Sequence, residues 1–300
     1  PSLTGGNMKE KTLTQTRQLR GLMREAAEKL AGCGIEEAPL DASLLLEYAA
    51  GVTAQDYLMD PFRELPQEKV CAFWEAVEKR AMRIPLQHIT GVQEFMGYPF
   101  RVNEHVLIPR QDTETLVECA LEKLEPGMRV LDLCTGSGCI AASLYLIGRK
   151  QGKVSRESRF EGADISEAAL ETAGVNCREL GADVRLFRSD LFEKVEGTCD
   201  MIVSNPPYIR RDVIEELQAE VRLHDPYIAL DGHEDGLHFY RRIAAGAGSH
   251  LKQGGWLILE IGHDQREEVS RLLREAGFTC VQGKKDLAGL DRVVMGMYNK

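Results

Sequence analysis

Ser204-Asn205-Pro206-Pro207-Tyr208-Ile209 puts two consecutive prolines directly after an apolar run. A proline fixes φ and has no N–H, and the residue before it is pushed out of the helical region. Asn205 to Pro207 is therefore expected to form a rigid, extended hook with open carbonyls, ending in the Tyr208 ring. Such a hook suits the capture of a planar amide or amine. A second segment, Leu131-Asp132-Leu133-Cys134-Thr135-Gly136-Ser137-Gly138, lies where an apolar run turns into a helical pattern. Gly136 and Gly138 let the backbone approach a ligand closely, and the helix start beyond them offers free N–H groups. An ordinary strand-to-helix turn has the same composition. Asp164 and Asp190 narrow the choice. Asp164 ends the next apolar run, where an acid takes a ribose hydroxyl pair in dinucleotide-type folds. Asp190 ends the run after that and is followed by Leu191 and Phe192, suited to the edge and face of adenine. Loop capping is the plain alternative for both acids.

These residues need elements to hold them. From about Thr12 to Arg83 apolar residues recur at helical spacing, beginning with Leu13, Leu19, Leu22, Met23, Ala26 and Leu30. Gly32 and Gly34 supply a stop, a second helix follows Pro39, Thr53 caps a short third, and Pro66 opens a fourth carrying Val70, Phe73, Trp74 and Val77 on one face. This predicts a small all-α domain over 8–86 after a flexible lead, 1–7. Around Gly97 and Pro99 the period changes to that of a β-hairpin, giving a linker over 87–110. Asp112 reads as the N-cap of a helix through Lys123. The domain over 111–300 alternates short apolar runs at 129–134, 160–165, 184–190, 200–205 and 255–261 with helical stretches at 137–149, 166–180, 235–252 and 264–276. Such alternation predicts an α/β, Rossmann-like doubly wound sheet. The tail reads as two strands, one of them an antiparallel edge strand. The stretch 148–159 reads as an extended loop bulging from the site.

The three expected strand ends and the hook meet at the carboxyl edge of one sheet, where open α/β folds bind ligands. Composition narrows the partner. A net charge of −10 repels polyanions, so no stable nucleic-acid complex is expected and a protein or small molecule is favoured. No apolar run approaches the roughly 20 residues of a membrane span, so no membrane association is expected. The cysteines form no CxxC pair, and free thiols fit a reduced, cytoplasmic setting. A monomer is expected.

Together the strand-end residues resemble a class I S-adenosylmethionine-dependent methyltransferase, and within that class the HemK/PrmC family. The matching motifs cover nearly the whole chain: NPPY at 205–208, "FMGYPFRVNEHVLIPRQDTETLVE" (95–118), "LDLCTGSGCIA" (131–141), "DISEAAL" (164–170), "DPYIALDGHEDGLHFYRRI" (225–243), "LEIGHDQ" (259–265) and "LAGLDRVV" (287–294). The resemblance implies methylation of the side-chain amide nitrogen (N5) of the glutamine in the Gly-Gly-Gln motif of peptide chain release factors, which modulates translation termination. It implies S-adenosyl-L-methionine as cofactor. The turn of Cys134, Thr135, Gly136, Ser137 and Gly138 would hold the methionine moiety, Asp164 the ribose, and Asp190 and Leu191 the adenine side. Asn205, Pro206, Pro207 and Tyr208 would bind substrate and carry catalysis, with Asn205 also on the cofactor. The helical domain would dock the protein substrate. Cys134 stands where the family usually has Gly, which makes the turn less permissive.

An amide nitrogen is a poor nucleophile, because its lone pair is delocalised into the carbonyl. The enzyme must accept its hydrogens and align it for in-line attack; the Asn205 side-chain oxygen and the Pro206 carbonyl are the expected acceptors. His224, His233 and His238 read as surface or loop residues, since no carboxylate or Cys joins them at metal-ligand spacing, and no metal is expected. Arg110 and Asp112 read from the residues alone as a solvated charge and a helix cap, while the resemblance implies a cofactor-side or domain-closing role for them; Glu260 suits a structural one. Two other functions fit parts of the pattern: N6-adenine methylation of DNA or RNA, because NPPY recurs there, and a non-catalytic nucleotide-binding module.

Overall fold

Leu19, Leu22, Ala26 and Leu30 repeat at helical spacing and are fully buried along α1 (Leu19–Gly32). That stripe shares one core with Ala42, Leu45 and Leu46 of α2 (Ala38–Ala50) and with Val70, Phe73 and Val77 of α4 (Gln67–Ala81). α2 ends on Gly51 in the left-handed conformation. α3 (Ala54–Met59) opens with a capping box, Thr53 and Asp56 each bonding the other's backbone N–H. The computed structural model describes residues 16–299, so the expected lead over 1–7 and the helical onset from Thr12 through Leu13 lie outside the described residues. The described chain divides into two compact units, the first ending at Thr90 and the second starting at Gly91. Residues 87–90, expected at the start of the β-linker, instead belong to a short α5 (Leu86–Thr90) set off by Pro85.

In the second unit β1 (Val92–Phe95) and β2 (Tyr98–Arg101) form the expected antiparallel hairpin. Its two-residue turn, Met96-Gly97, has positive φ at both positions, as a tight hairpin turn needs. The hairpin is fastened rather than free. Asn176, fully buried, accepts from the Arg101 N–H at 2.6 Å and donates to the Arg101 carbonyl at 3.0 Å.

α6 (Glu114–Lys123) follows a single 3-10 turn, Gln111–Thr113. Asp112 lies inside that turn and makes no cap hydrogen bond to α6; its carboxylate faces Arg292 at 3.3 Å instead. The chain then alternates β3 (Arg129–Leu133), α7 (Cys139–Lys150), β4 (Arg159–Asp164), α8 (Glu167–Leu180), β5 (Arg185–Arg188) and β6 (Cys199–Ser204). Three short helices, α9 (Arg211–Ile214), α10 (Ala219–His224) and α11 (Tyr227–Leu230), precede α12 (His238–Ala247), β7 (Leu251–Glu260), α13 (Arg266–Glu275), β8 (Phe278–Lys285) and β9 (Asp291–Tyr298). The sheet order is β5-β4-β3-β6-β7-β9-β8. β3 to β7 are parallel, and β9 runs antiparallel between β7 and the edge strand β8. Alternate strand residues feed opposite faces. Val130, Met201, Val203 and Ile258 pack with α6 and α7, while Leu131, Leu133, Ile202 and Leu257 pack with α12 and α13.

The stretch 148–159 is less extended than expected. Its first residues continue α7, Val154 packs against the core, and Lys153 donates to the Leu121 carbonyl. It leads into the start of β4, at the end of that strand remote from Asp164.

Phe73 is fully buried at the centre of the helical core and meets Trp74 edge-on at 5.6 Å. Phe73→Ala should destabilise this unit by about 3 to 5 kcal/mol. Chemical denaturation followed by tryptophan fluorescence measures it, and a loss below about 1 kcal/mol would contradict the packing described.

Candidate active site

β3, β4, β5 and β6 end level with one another: Leu133 pairs with Ala163 and with Ser204, and Asp164 pairs with Arg188. Beyond those ends lies a cavity of about 340 Å³, the size of a small-molecule site. Cys134, Thr135, Gly136, Ser137, Asp164, Asp190, Leu191, Asn205 and Pro207 all line it. Among the other expected site residues, Gly138, Pro206 and Tyr208 do not.

The glycine turn is shaped by its own hydrogen bonds. The Thr135 N–H donates to the Ala163 carbonyl at 3.0 Å, and its hydroxyl donates to Asp132 at 2.7 Å. Gly136 has φ +54 and its N–H donates to Asp164 at 2.9 Å. The other Asp164 oxygen accepts from the Ser166 N–H at 2.9 Å. Both carboxylate oxygens are thereby aimed, and each keeps a lone pair for a ligand hydroxyl. Cys134 adopts φ +58, the left-handed conformation a glycine would take freely, so this turn keeps its shape at a backbone cost of about 1 to 2 kcal/mol. Gly138, at φ +78, serves packing: a Cβ there would sit 3.1 Å from the Ala173 Cβ.

The hook leaves β6 from a fixed point, because the Ser204 hydroxyl donates to the Leu133 carbonyl at 2.7 Å. Among the described residues, none hydrogen-bonds the Asn205 side-chain amide, which borders the cavity. Tyr208 lies behind the hook, its hydroxyl donating to Glu260 at 3.2 Å and its carbonyl accepting from Gln265 Nε2 at 3.1 Å. Gly232 and Gly236 fit against its backbone, where added Cβ atoms would come within 2.7 and 2.6 Å. Ile209 then pairs with the 230–232 segment, donating to Leu230 and accepting from Gly232. The Tyr208 ring therefore anchors the hook from behind.

Two expectations change. Phe192, read as an adenine face, stacks on His250 at 4.6 Å, away from the cavity. His233 and His238, read as surface or loop residues, meet with their rings tilted at 31° and centroids 4.0 Å apart, and line the cavity with Phe239. Burial and the neighbouring His233 hold the His238 imidazole below its usual range. Arg110 lines the cavity and pairs at 2.6 Å with Asp225, whose carboxyl burial pushes up to about 6 against the pull of that guanidinium. Arg242, which no spacing singled out, pairs with Asp190 at 3.0 Å at the cavity's edge. No cluster of residues that could hold a metal occurs among the described residues. Nor is any described helix long and apolar enough to cross a membrane.

A parallel sheet with β9 inserted antiparallel beside β7, and with its binding edge built from a glycine turn and an Asn-Pro-Pro-Tyr exit, defines a Rossmann-like methyltransferase. Residues 21–91 match the model of the PrmC N-terminal domain and 111–225 that of the methyltransferase small domain. A release factor glutamine methyltransferase of Moorella thermoacetica is 42% identical over 91% of this chain and 96% of its own. One from Agrobacterium fabrum is 40% identical over 90% and 93%. The chain belongs to the release factor glutamine methyltransferase family. The solved catalytic domain of hMettl16, in complex with the MAT2A 3'UTR hairpin 6, shares the fold at 15% identity, covering 75% of this chain and 83% of that one with a TM-score of 0.52.

Asp132, fully buried beneath the turn, carries a carboxyl that burial pushes from its ordinary 3.8 up to about 7. The folded protein then binds a proton that the unfolded chain releases. This group's contribution to stability is complete below the unfolded value and is lost as pH rises through about 7. Asp132→Asn should therefore gain stability relative to the parent as pH is raised from about 5 to about 8. Urea denaturation at the two pH values tests this, and a constant difference between the proteins would contradict it.

Proposed function

We propose that this chain methylates the side-chain amide nitrogen of the glutamine in the Gly-Gly-Gln motif of peptide chain release factors, drawing the methyl group from S-adenosyl-L-methionine. The observation that carries this reading is the Asn205 amide, held on a rigid proline exit beside the cavity and bonded by none of the described residues. The residues present fit the cofactor. Gly136 leaves the turn open where a Cβ would meet nothing, Asp164 offers aimed oxygens for ribose hydroxyls, and Asp190 with Leu191 borders the adenine side. When bound, S-adenosylmethionine would supply an electrophilic methyl group.

The chain's own part is acceptance and alignment. Asn205 Oδ1 accepts a hydrogen of the substrate amide, which holds that group in one plane and orients its nitrogen toward the cavity. Pro206 and Pro207 keep the acceptor from retreating as the nitrogen departs from planar geometry. Apolar side chains of Val106, Leu107, Ile228 and Ala229 line the cavity and limit water around the reacting atoms. The helical unit, matched by the PrmC N-terminal domain model, is assigned to docking the protein substrate.

Asn205→Ala should lower turnover on release factor by roughly a hundred- to a thousandfold at saturating cofactor, with cofactor affinity less affected. Near-normal turnover would reduce the hook to a stiff strand exit. Asp164→Ala should weaken cofactor binding by about 1.5 to 3 kcal/mol for each charge-assisted hydrogen bond removed. Calorimetry with S-adenosylhomocysteine measures this, and unchanged affinity in a folded variant would contradict the ribose assignment.

A further inference from the structure

Glu260 closes β7, and the residue is only 2% exposed behind the hook. Its Oε1 accepts from the Tyr208 hydroxyl at 3.2 Å, and its backbone carbonyl accepts from the Tyr240 hydroxyl at 2.8 Å. Thr113 and Arg292 are also its neighbours. Arg292 divides its guanidinium among several oxygens, with Asp286 at 3.1 Å and Asp112 at 3.3 Å. The cluster therefore has more carboxylates than cations, and burial, helped by the Asp112 charge, pushes the Glu260 carboxyl up to about 7 against the pull of Thr113, Arg292 and Tyr208. A side chain that only filled this space would need no oxygen. The oxygen has one defined use toward the site, which is to hold the phenol of Tyr208 three residues beyond Asn205.

We propose that Glu260 is a positioning residue for methyl transfer: it fixes the Tyr208 ring through the phenol hydroxyl and so sets where the Asn205 amide stands. The proposal rests on the glutamine-methylation reading only through the turnover it controls. Gln265 holds the same residue from the backbone side, bonding the Tyr208 and Gly236 carbonyls. Tyr208 is thus clamped at both ends, Gln265 at its backbone and Glu260 at its phenol, where Arg292 stands as a second neighbour of the hydroxyl. A misplacement of the acceptor by about 1 Å is enough to cost on the order of a hundredfold in rate, while the groups that face the cofactor keep their places.

The test uses the full chain and compares Glu260→Leu, Glu260→Gln, Tyr208→Phe and the Glu260→Leu/Tyr208→Phe double variant. Glu260→Leu and Tyr208→Phe should each lower kcat on release factor by about a hundredfold while S-adenosylhomocysteine affinity stays within about threefold. The double variant should lose no more than either single one, because both remove the same bond. Glu260→Gln, which keeps the acceptor oxygen, should restore most of the turnover. Amide hydrogen exchange at Ile209 should quicken in Glu260→Leu and not in Glu260→Gln, a readout that needs no substrate. Multiplying losses in the double variant, or unaltered turnover and exchange in Tyr208→Phe, would overturn the proposal. If Glu260→Leu does not fold, Tyr208→Phe decides. An inactive Asn205→Ala beside a fully active Tyr208→Phe would remove the positioning role and leave the methyl-transfer reading standing. Faster exchange in Glu260→Leu, in a chain whose parent transfers no methyl to release factor, would support the clamp and remove that reading.

Discussion

The parallel register of β3 with β4 and β6 is the constraint from which the site follows. Leu133 lies opposite both Ala163 and Ser204, and Ser204 lies opposite Leu259. The three neighbouring strands therefore finish together, and the glycine turn, Asp164 and Asn205 emerge at one level. A slip of one residue would turn every alternating side chain to the other face. The two apolar layers that sandwich the sheet forbid it, because Val130 and Leu131 belong to opposite cores. Burial energy thus holds the geometry of a polar site whose own residues contribute little to folding.

The same edge combines stiffness and openness in different places. The Asn205 side-chain amide has no partner among the described residues, while the residues on either side of it are fixed, Ser204 by its bond to Leu133 and Tyr208 by Glu260 and Gln265. An acceptor held in this way needs no reorganisation when a substrate amide arrives, which is the condition under which one hydrogen bond counts most in catalysis. Gly232 and Gly236 make the arrangement possible sterically, since either with a side chain would collide with the Tyr208 backbone.

Much of this was legible in the sequence, for local reasons. The strand and helix alternation, the Thr53 cap, the Met96-Gly97 hairpin region and the proline hook all follow from periodicity and backbone preference over a few residues. What was not legible depends on partners far along the chain. Asp112 looked like a helix cap because the residue that claims it, Arg292, lies at the other end of the domain. Phe192 looked like an adenine face until His250 took its ring. His233 and His238 lacked ligand spacing, yet the loop between them folds back and brings the two rings together, tilted, at the cavity wall. Asn176, inside an ordinary helix, gave no sign that it would pair with both backbone groups of Arg101 and with the Ser137 carbonyl. Glu260 read as the structural end of a strand, and the fold sets its carboxylate against the phenol of the hook.

If the hook receives a protein glutamine, the methyl group must end on that side chain and nowhere else. The decisive experiment incubates the full chain with methyl-labelled S-adenosylmethionine and, in parallel, with purified release factor, the same factor with its Gly-Gly-Gln glutamine replaced, and single- and double-stranded nucleic acid, and locates the label by peptide mass spectrometry. One methyl group should appear on that glutamine, and none on the replaced factor or the nucleic acids; label on adenine, or equal label on both forms of the factor, would contradict a glutamine-binding hook.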